Sequence, residues 1–239
     1  MNTAIVMGVG PDRGLGAQLC ARFANQGLHV FVAGRTQAKL DAVVDNITVA
    51  GGSATAAVAD ATDELAVQGL FAQAAKQGTL SLAIYNAGNA TMGTVSDMTT
   101  DTFIDSWKIC CYGGFLFGRE AIRQMTSTGG TLLFTGASAS LRGVSGFGAF
   151  NSSKAGLRAL AQSMSKESGK DGIHVGHVII DGAIHGEKIQ KLAPEYYDKL
   201  GDDGMIKIES IVDVYEYLYK QPKSGWSFEV DVRTSIENW

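Results

Sequence analysis

Apolar residues follow two rhythms along this chain. Short, almost unbroken apolar runs (IVM, VFVA, LLF, VII) alternate with longer stretches in which apolar positions return every three or four residues. The first rhythm belongs to strands covered on both faces, the second to amphipathic helices. Strands are expected at 4–7, 29–33, 54–58, 80–85, 131–135, 175–180 and 227–232. Helices are expected at 15–25, 37–49, 64–76, 103–125, 150–168 and 209–219. In the first helix Leu15, Leu19 and Phe23 recur at i, i+4 and i+8, and Gly27 follows as a stop signal. Such an alternation predicts an α/β fold with a doubly wound parallel sheet and helices on both faces. No repeat, low-complexity tract or linker interrupts it, so one domain over residues 1–239 is expected.

Composition narrows the function classes. The chain is 45% hydrophobic and 18% charged, enough apolar material for a sizeable core. A net charge of −4 without a dense basic block lacks the footprint of a nucleic-acid binder. The opening MNTAIVMGVG has no basic n-region and reads as a strand, not a signal peptide. The absence of a run of about 18 apolar residues argues against a membrane span. Cys20, Cys110 and Cys111 form no disulfide or metal framework, and adjacent cysteines bridge only through a strained ring. Two of the histidines, His174 and His177, are three apart on a strand and point to opposite faces, so no metal site is expected there. A reduced, cytoplasmic location is the simplest expectation.

After the first strand comes GVGPDRGLGAQLC, with Gly10, Gly14 and Gly16 in a G-x3-G-x-G pattern and Asp12, Arg13 and Leu15 between them. Glycines between strand and helix let the backbone approach a pyrophosphate, whose charge then sits at the helix N-terminus. An NAD site usually places an acid at the end of the second strand; here VFVAGRT puts Gly34 and then Arg35 there. Arg13 adds a second guanidinium. Arginine makes forked bonds to phosphate oxygens, each charge-assisted bond worth roughly 1.5–3 kcal/mol. Either arginine alone is better read as a solvated surface residue; the pair beside a glycine loop favours NADP(H).

Further on, AFNSSKAGLRALAQSM places Lys154 on the apolar face formed by Phe150, Leu157, Ala161 and Met164. Burying an ammonium is costly without partners, so the lysine either snorkels at the helix start or holds a ligand. Together the glycine pattern, YNAG at Tyr85–Gly88 and this lysine resemble the short-chain dehydrogenase/reductase family over nearly the whole chain. The resemblance implies a Rossmann-type sheet of about seven strands and a homodimer or homotetramer. It implies that Asp60 and Ala61 border the adenine, that Asn86, Ala87 and Gly88 steady the sheet beside the cofactor, and that Lys154 holds the nicotinamide ribose. Gly182 and Ile184 would offer backbone to the carboxamide.

The family's chemistry uses an Asn, a Ser, a Tyr and this Lys. Here Phe150 falls at the tyrosine position, Ala137 at the serine position with Ser138 one residue late, and Cys110 at the asparagine position. Asp181-Gly182 replaces the family's Pro-Gly. Ser138, Tyr112, Lys154 and His185 are the candidate substitute proton donors. The segment 182–207, with Leu192, Tyr196, Tyr197 and Leu200, is expected to form an amphipathic lid over the substrate. Trp226 and Trp239 are either interface anchors or core. Two functions stay open: an NADP(H)-dependent oxidoreductase of a small carbonyl, quinone or alcohol with a non-standard proton donor, or a catalytically inactive NADP(H)-binding or sensing protein.

Overall fold

The computed structural model describes residues 1–201 and 203–237, and of Lys188 and Leu192 the backbone alone. Leu192's side chain and Trp239 therefore lie outside the described residues. The elements run β1 (Asn2–Met7), α1 (Leu15–Asn25), β2 (His29–Gly34), α2 (Gln37–Val49), β3 (Ser53–Val58), α3 (Glu64–Gln77) and β4 (Thr79–Tyr85). After these come α4 (Thr100–Trp107), α5 (Gly113–Met125), β5 (Gly130–Thr135), α6 (Gly148–Ser168) and β6 (Ile173–Ile180). The chain then passes through β7 (Ala183–His185), α7 (Glu187–Leu192), α8 (Pro194–Leu200), β8 (Met205–Lys207), α9 (Ile208–Lys220) and β9 (Glu229–Val232). Seven strands form one parallel sheet in the order β3-β2-β1-β4-β5-β6-β9. Strand order reverses between β1 and β4, which opens a crevice at their carboxyl ends.

Alternate residues of each strand feed two cores. Ala4, Val6, Val30 and Val32 pack with α1, α2 and α9, whereas Ile5, Met7, Phe31 and Ala33 pack with α3, α5 and α6. Double coverage is why these strands read as unbroken apolar runs. His174 and His177 divide in the same way. His174 lies beside Leu218 of α9 and stacks on the half-buried Trp226 at 5.0 Å, while His177 lies beside Lys154 and Arg158 of α6.

Two expectations need correction. The helix anticipated over 103–125 is broken by a π turn, Lys108–Tyr112, between α4 and α5. Its cause is Tyr85, whose hydroxyl donates to the Ile109 carbonyl at 2.5 Å and takes that acceptor from the helical ladder. The lid is also more structured than anticipated: β7 and β8 pair in parallel beside the main sheet, with α7 and α8 between them.

Candidate functional site

Most candidate cofactor residues follow the carboxyl end of a strand; Lys154 lies in α6 and Ile184 in β7. The turn after β1 begins at Gly8, whose φ of +96° is left-handed and whose Cβ, if present, would stand 2.4 Å from the Ala87 amide nitrogen. Only glycine fits there. Gly16 sits where a Cβ would be 3.0 Å from the Gly8 carbonyl oxygen, so α1 packs directly on the strand end. Gly10 faces open space. Gly14 is the N-cap of α1 and brings no side chain to satisfy the first-turn amides of Leu15, Gly16 and Ala17. Asp12 accepts from the Arg13 amide at 2.9 Å, and both residues are exposed. After β3, on the same side of the crevice, Asp60 accepts from the Thr62 amide and hydroxyl, each at 2.8 Å, beside the buried Ala61. Burial raises the Asp60 pKa, but the Thr62 bonds and the nearby Arg35 outweigh it and hold the carboxyl below its usual range.

Asn86, Thr135 and Lys154 connect this loop to α6. Asn86 donates through Nδ2 to the Gly8 carbonyl at 3.1 Å, and its Oδ1 accepts from the Thr135 hydroxyl at 3.1 Å. Lys154, 4% exposed, donates from Nζ to the Thr135 carbonyl at 2.7 Å. Ala87 and Gly88 carry the chain past the lysine; a Cβ on Gly88 would lie 3.3 Å from Lys154 Nζ and 3.7 Å from Cys110 Sγ. Cys110 is fully buried and donates to Asn89 Oδ1 at 3.3 Å. Phe150 sits one turn before the lysine, its ring centroid 5.8 Å from Nζ. Lys154 is thus held by the Thr135 carbonyl and an aromatic face and does not snorkel.

The other candidates are less closely joined. Ser138 is half-buried and opens a 3₁₀ turn, Ser138–Ser140, three residues beyond Thr135; its carbonyl accepts from Leu141 at 2.9 Å. Tyr112 belongs elsewhere: its ring lies against Trp107 and Phe115, both exposed, on another side of the helix from Cys110. His185 is tied into the lid through Tyr197, whose hydroxyl lies 3.0 Å from Nε2. Gly182 has a φ of +147°, and the half-buried Ile184 pairs with Ile206. Asp181, 1% exposed, accepts from Arg142 at 2.9 Å, and Arg233 lies 3.8 Å from its other oxygen. One carboxylate therefore ties together the loop after β5, the turn after β6 and the tail after β9. Among the described residues no three His, Cys, Asp or Glu side chains gather as a metal site, and all three cysteines are free.

A family model of short chain dehydrogenases matches residues 2–194. The chain belongs to the short-chain dehydrogenase family. A crystal structure of a short-chain dehydrogenase from Rhodopseudomonas palustris is 36% identical, with 97% of this chain and 98% of that one covered and a TM-score of 0.83. Versicolorin reductase 1 of Dothistroma septosporum is 30% identical over 204 residues, 83% of this chain and 77% of that protein. The uncharacterized oxidoreductase YuxG of Bacillus subtilis is 32% identical over 181 residues; these are 74% of this chain but only 26% of that protein. Short-chain dehydrogenases use a nicotinamide cofactor, and the residues present fit one. The uncapped amides of α1 suit a pyrophosphate, the space beyond Gly10 admits it, and the Lys154 ammonium stands at the crevice floor.

Gly8, Thr135 and Asn89 escaped the sequence reading. The G-x3-G-x-G pattern begins at Gly10, so the strained glycine two residues earlier carried no motif. Thr135 and Asn89 act through contacts 49 and 21 residues distant. No local periodicity reports such contacts.

Proposed function

We propose that this short-chain dehydrogenase is an NADP(H)-dependent oxidoreductase acting on a small carbonyl, quinone or alcohol. The observation that carries the proposal is the single run of hydrogen bonds joining the glycine loop, Asn86, Thr135 and Lys154 at the carboxyl ends of β1, β4 and β5. Arg13 and Arg35, both exposed, supply the 2′-phosphate contact. Each feels a carboxylate: Asp60 lies near Arg35, and Glu187 near Arg13. Such exposed attractions are screened by water and are weaker than forked bonds to a phosphate, so the nucleotide displaces them.

In this reading Gly10, Asp12, Gly14, Leu15 and Gly16 cradle the pyrophosphate, Asp60 and Ala61 border the adenine, and Asn86, Ala87 and Gly88 floor the site. Lys154 holds the ribose hydroxyls while Gly182 and Ile184 offer backbone to the carboxamide. The nicotinamide, when bound, carries the hydride. Phe150 stands at the position of the family's proton-donating tyrosine and Ala137 at that of its serine, leaving Ser138 as the nearest hydroxyl in register. Losing a positioned general acid costs about 10²–10⁴ in rate. Activated aldehydes, quinones and enones, which need less acid assistance, are therefore the favoured substrates. The same reading takes residues 1–239 as one cytoplasmic domain that assembles as a homodimer or homotetramer; the exposed Phe103, Ile104, Trp107 and Phe115 of α4 and α5 support self-association.

A second reading, nucleotide binding without turnover, is favoured by one observation: the aromatic ring above Lys154 carries no hydroxyl. NADPH consumption over an aldehyde, quinone and enone panel separates the two, with wild type and Phe150→Tyr at matched cofactor saturation. Turnover by wild type with little gain in Phe150→Tyr supports the enzyme and makes Ser138 and His185 the mutational targets. Tight NADPH binding with turnover only in Phe150→Tyr supports the binding protein. Failure to bind any nicotinamide nucleotide overturns both.

A further inference from the structure

Tyr215 lies two turns into α9, fully buried in the core shared with α1, on the opposite face of the sheet from α6. Its hydroxyl is 2.6 Å from Thr135 Oγ1. Distance alone leaves the donor open, but the neighbouring bonds close the question. The Gly8 carbonyl can only accept, so Asn86 must present Nδ2 to it. Asn86 Oδ1 then faces Thr135 and takes its one hydroxyl hydrogen. Tyr215 is left as the donor to Thr135. Hydrogen bonds therefore run one way, Tyr215 to Thr135 to Asn86 to Gly8, from a peripheral helix to the glycine loop. Burial raises the Tyr215 pKa far above that of an ordinary phenol, so the donor keeps its proton at physiological pH.

We propose that Tyr215 is a positioning residue for the nicotinamide nucleotide, acting through Thr135. The proposal rests on the reading of the crevice as an NADP(H) site. Thr135 is where the two sides of that site meet: its side chain serves the glycine loop and its carbonyl holds Lys154. Turning the Asn86 amide over would set oxygen against oxygen at Gly8. It would do so beside Gly16, where a Cβ would already stand 3.2 Å from Nδ2. Rotating Thr135 about χ1 would strip Asn86 of the bond that fixes its orientation. The Tyr215 hydroxyl is the group that opposes this rotation, because a turned Thr135 leaves a buried phenol without its acceptor. In addition, α9 follows directly on β8, which pairs with the β7 strand carrying Ile184. One helix thus braces both the glycine loop and the turn expected at the carboxamide.

The test is NADPH affinity, by fluorescence titration of the full chain, beside its melting temperature. Tyr215→Phe removes one oxygen and keeps the ring; it should weaken NADPH binding about threefold to tenfold, the range of one neutral hydrogen bond. Thr135→Val, which also leaves Asn86 Oδ1 unpaired, should weaken binding by about tenfold or more. Thr135→Ser keeps the hydroxyl and should stay within about twofold of wild type, a rescue that general loss of packing would not give. A Tyr215→Phe protein that melts earlier but binds NADPH as wild type does assigns Tyr215 to structure alone and overturns the inference only. Wild type that binds neither NADPH nor NADH overturns the underlying reading with it. Should Thr135→Val fail to fold, Tyr215→Phe and Thr135→Ser still decide the matter.

Discussion

The floor of the crevice and its mouth are built on different principles. At the floor, Thr135, Lys154 and Tyr215 are buried and Asn86 is half-buried, and hydrogen bonds among these side chains and to the Gly8 and Thr135 carbonyls fix them. At the mouth, β7 and β8 are three residues each, α7 and α8 are short, and the loops on either side carry exposed apolar residues. Met92 is 73% exposed, Val95 78% and Val144 48%. The chief polar tie there is the cluster of Arg142, Asp181 and Arg233. A floor ordered before the ligand arrives spares the ordering cost of binding, whereas a mouth with few fixed contacts can open and close. In the proposed reading, binding is thus written into the fold, and chemistry is left to the loops.

The largest expected effect breaks the floor. Gly8→Ala would place a methyl 2.4 Å from a backbone nitrogen at a positive φ, costing about 3 kcal/mol or more. Denaturant unfolding should show the loss, and NADPH binding should fall with it. Next comes acid. Burial above all lowers the His177 pKa, Glu229 opposes this, Lys154 and Arg158 add to it, and the result is about 4. An imidazole depressed in the folded state binds fewer protons than in the unfolded chain. Its stabilising effect is complete above its ordinary pKa of 6.5 and is lost as pH falls toward about 4. The loss should reach about 3 kcal/mol, and a His177→Gln variant should lack this part of the pH dependence.

A smaller effect should sharpen the contrast by touching the mouth alone. Asp181→Asn keeps the shape but removes the charge facing Arg142 and Arg233, and should cost about 1–3 kcal/mol. Amide hydrogen exchange should quicken at residues 138–147 and 232–237 and stay slow at 8–16. Equal quickening at all three would show that floor and mouth open as one unit.

Regular structure was legible wherever burial on both faces or on one stripe set a period. The bounds of α1 and α2 match the expectation, and each expected strand of the main sheet lies within two residues of where it forms. The glycine loop and Lys154 were legible because a backbone approach and a buried ammonium leave marks in residue type. What escaped depends on partners far along the chain. The π turn needs the Tyr85 hydroxyl, 24 residues before its acceptor, and the orientation of Asn86 needs Tyr215 through Thr135, 80 residues apart. The lid pair β7–β8 escaped for another reason: strands of three residues are too short to establish a period.

One titration bears most directly on the claim that the floor is a working nicotinamide nucleotide site with a preference for the 2′-phosphate. NADPH and NADH would be titrated against the same wild-type protein at one ionic strength. Two exposed arginines and no acid at the end of β2 predict that NADPH binds about tenfold or more tighter than NADH, and that Arg35→Ala removes most of the difference without weakening NADH. Equal affinities, or tighter NADH, would contradict the NADP(H) assignment; binding of neither would contradict the site itself.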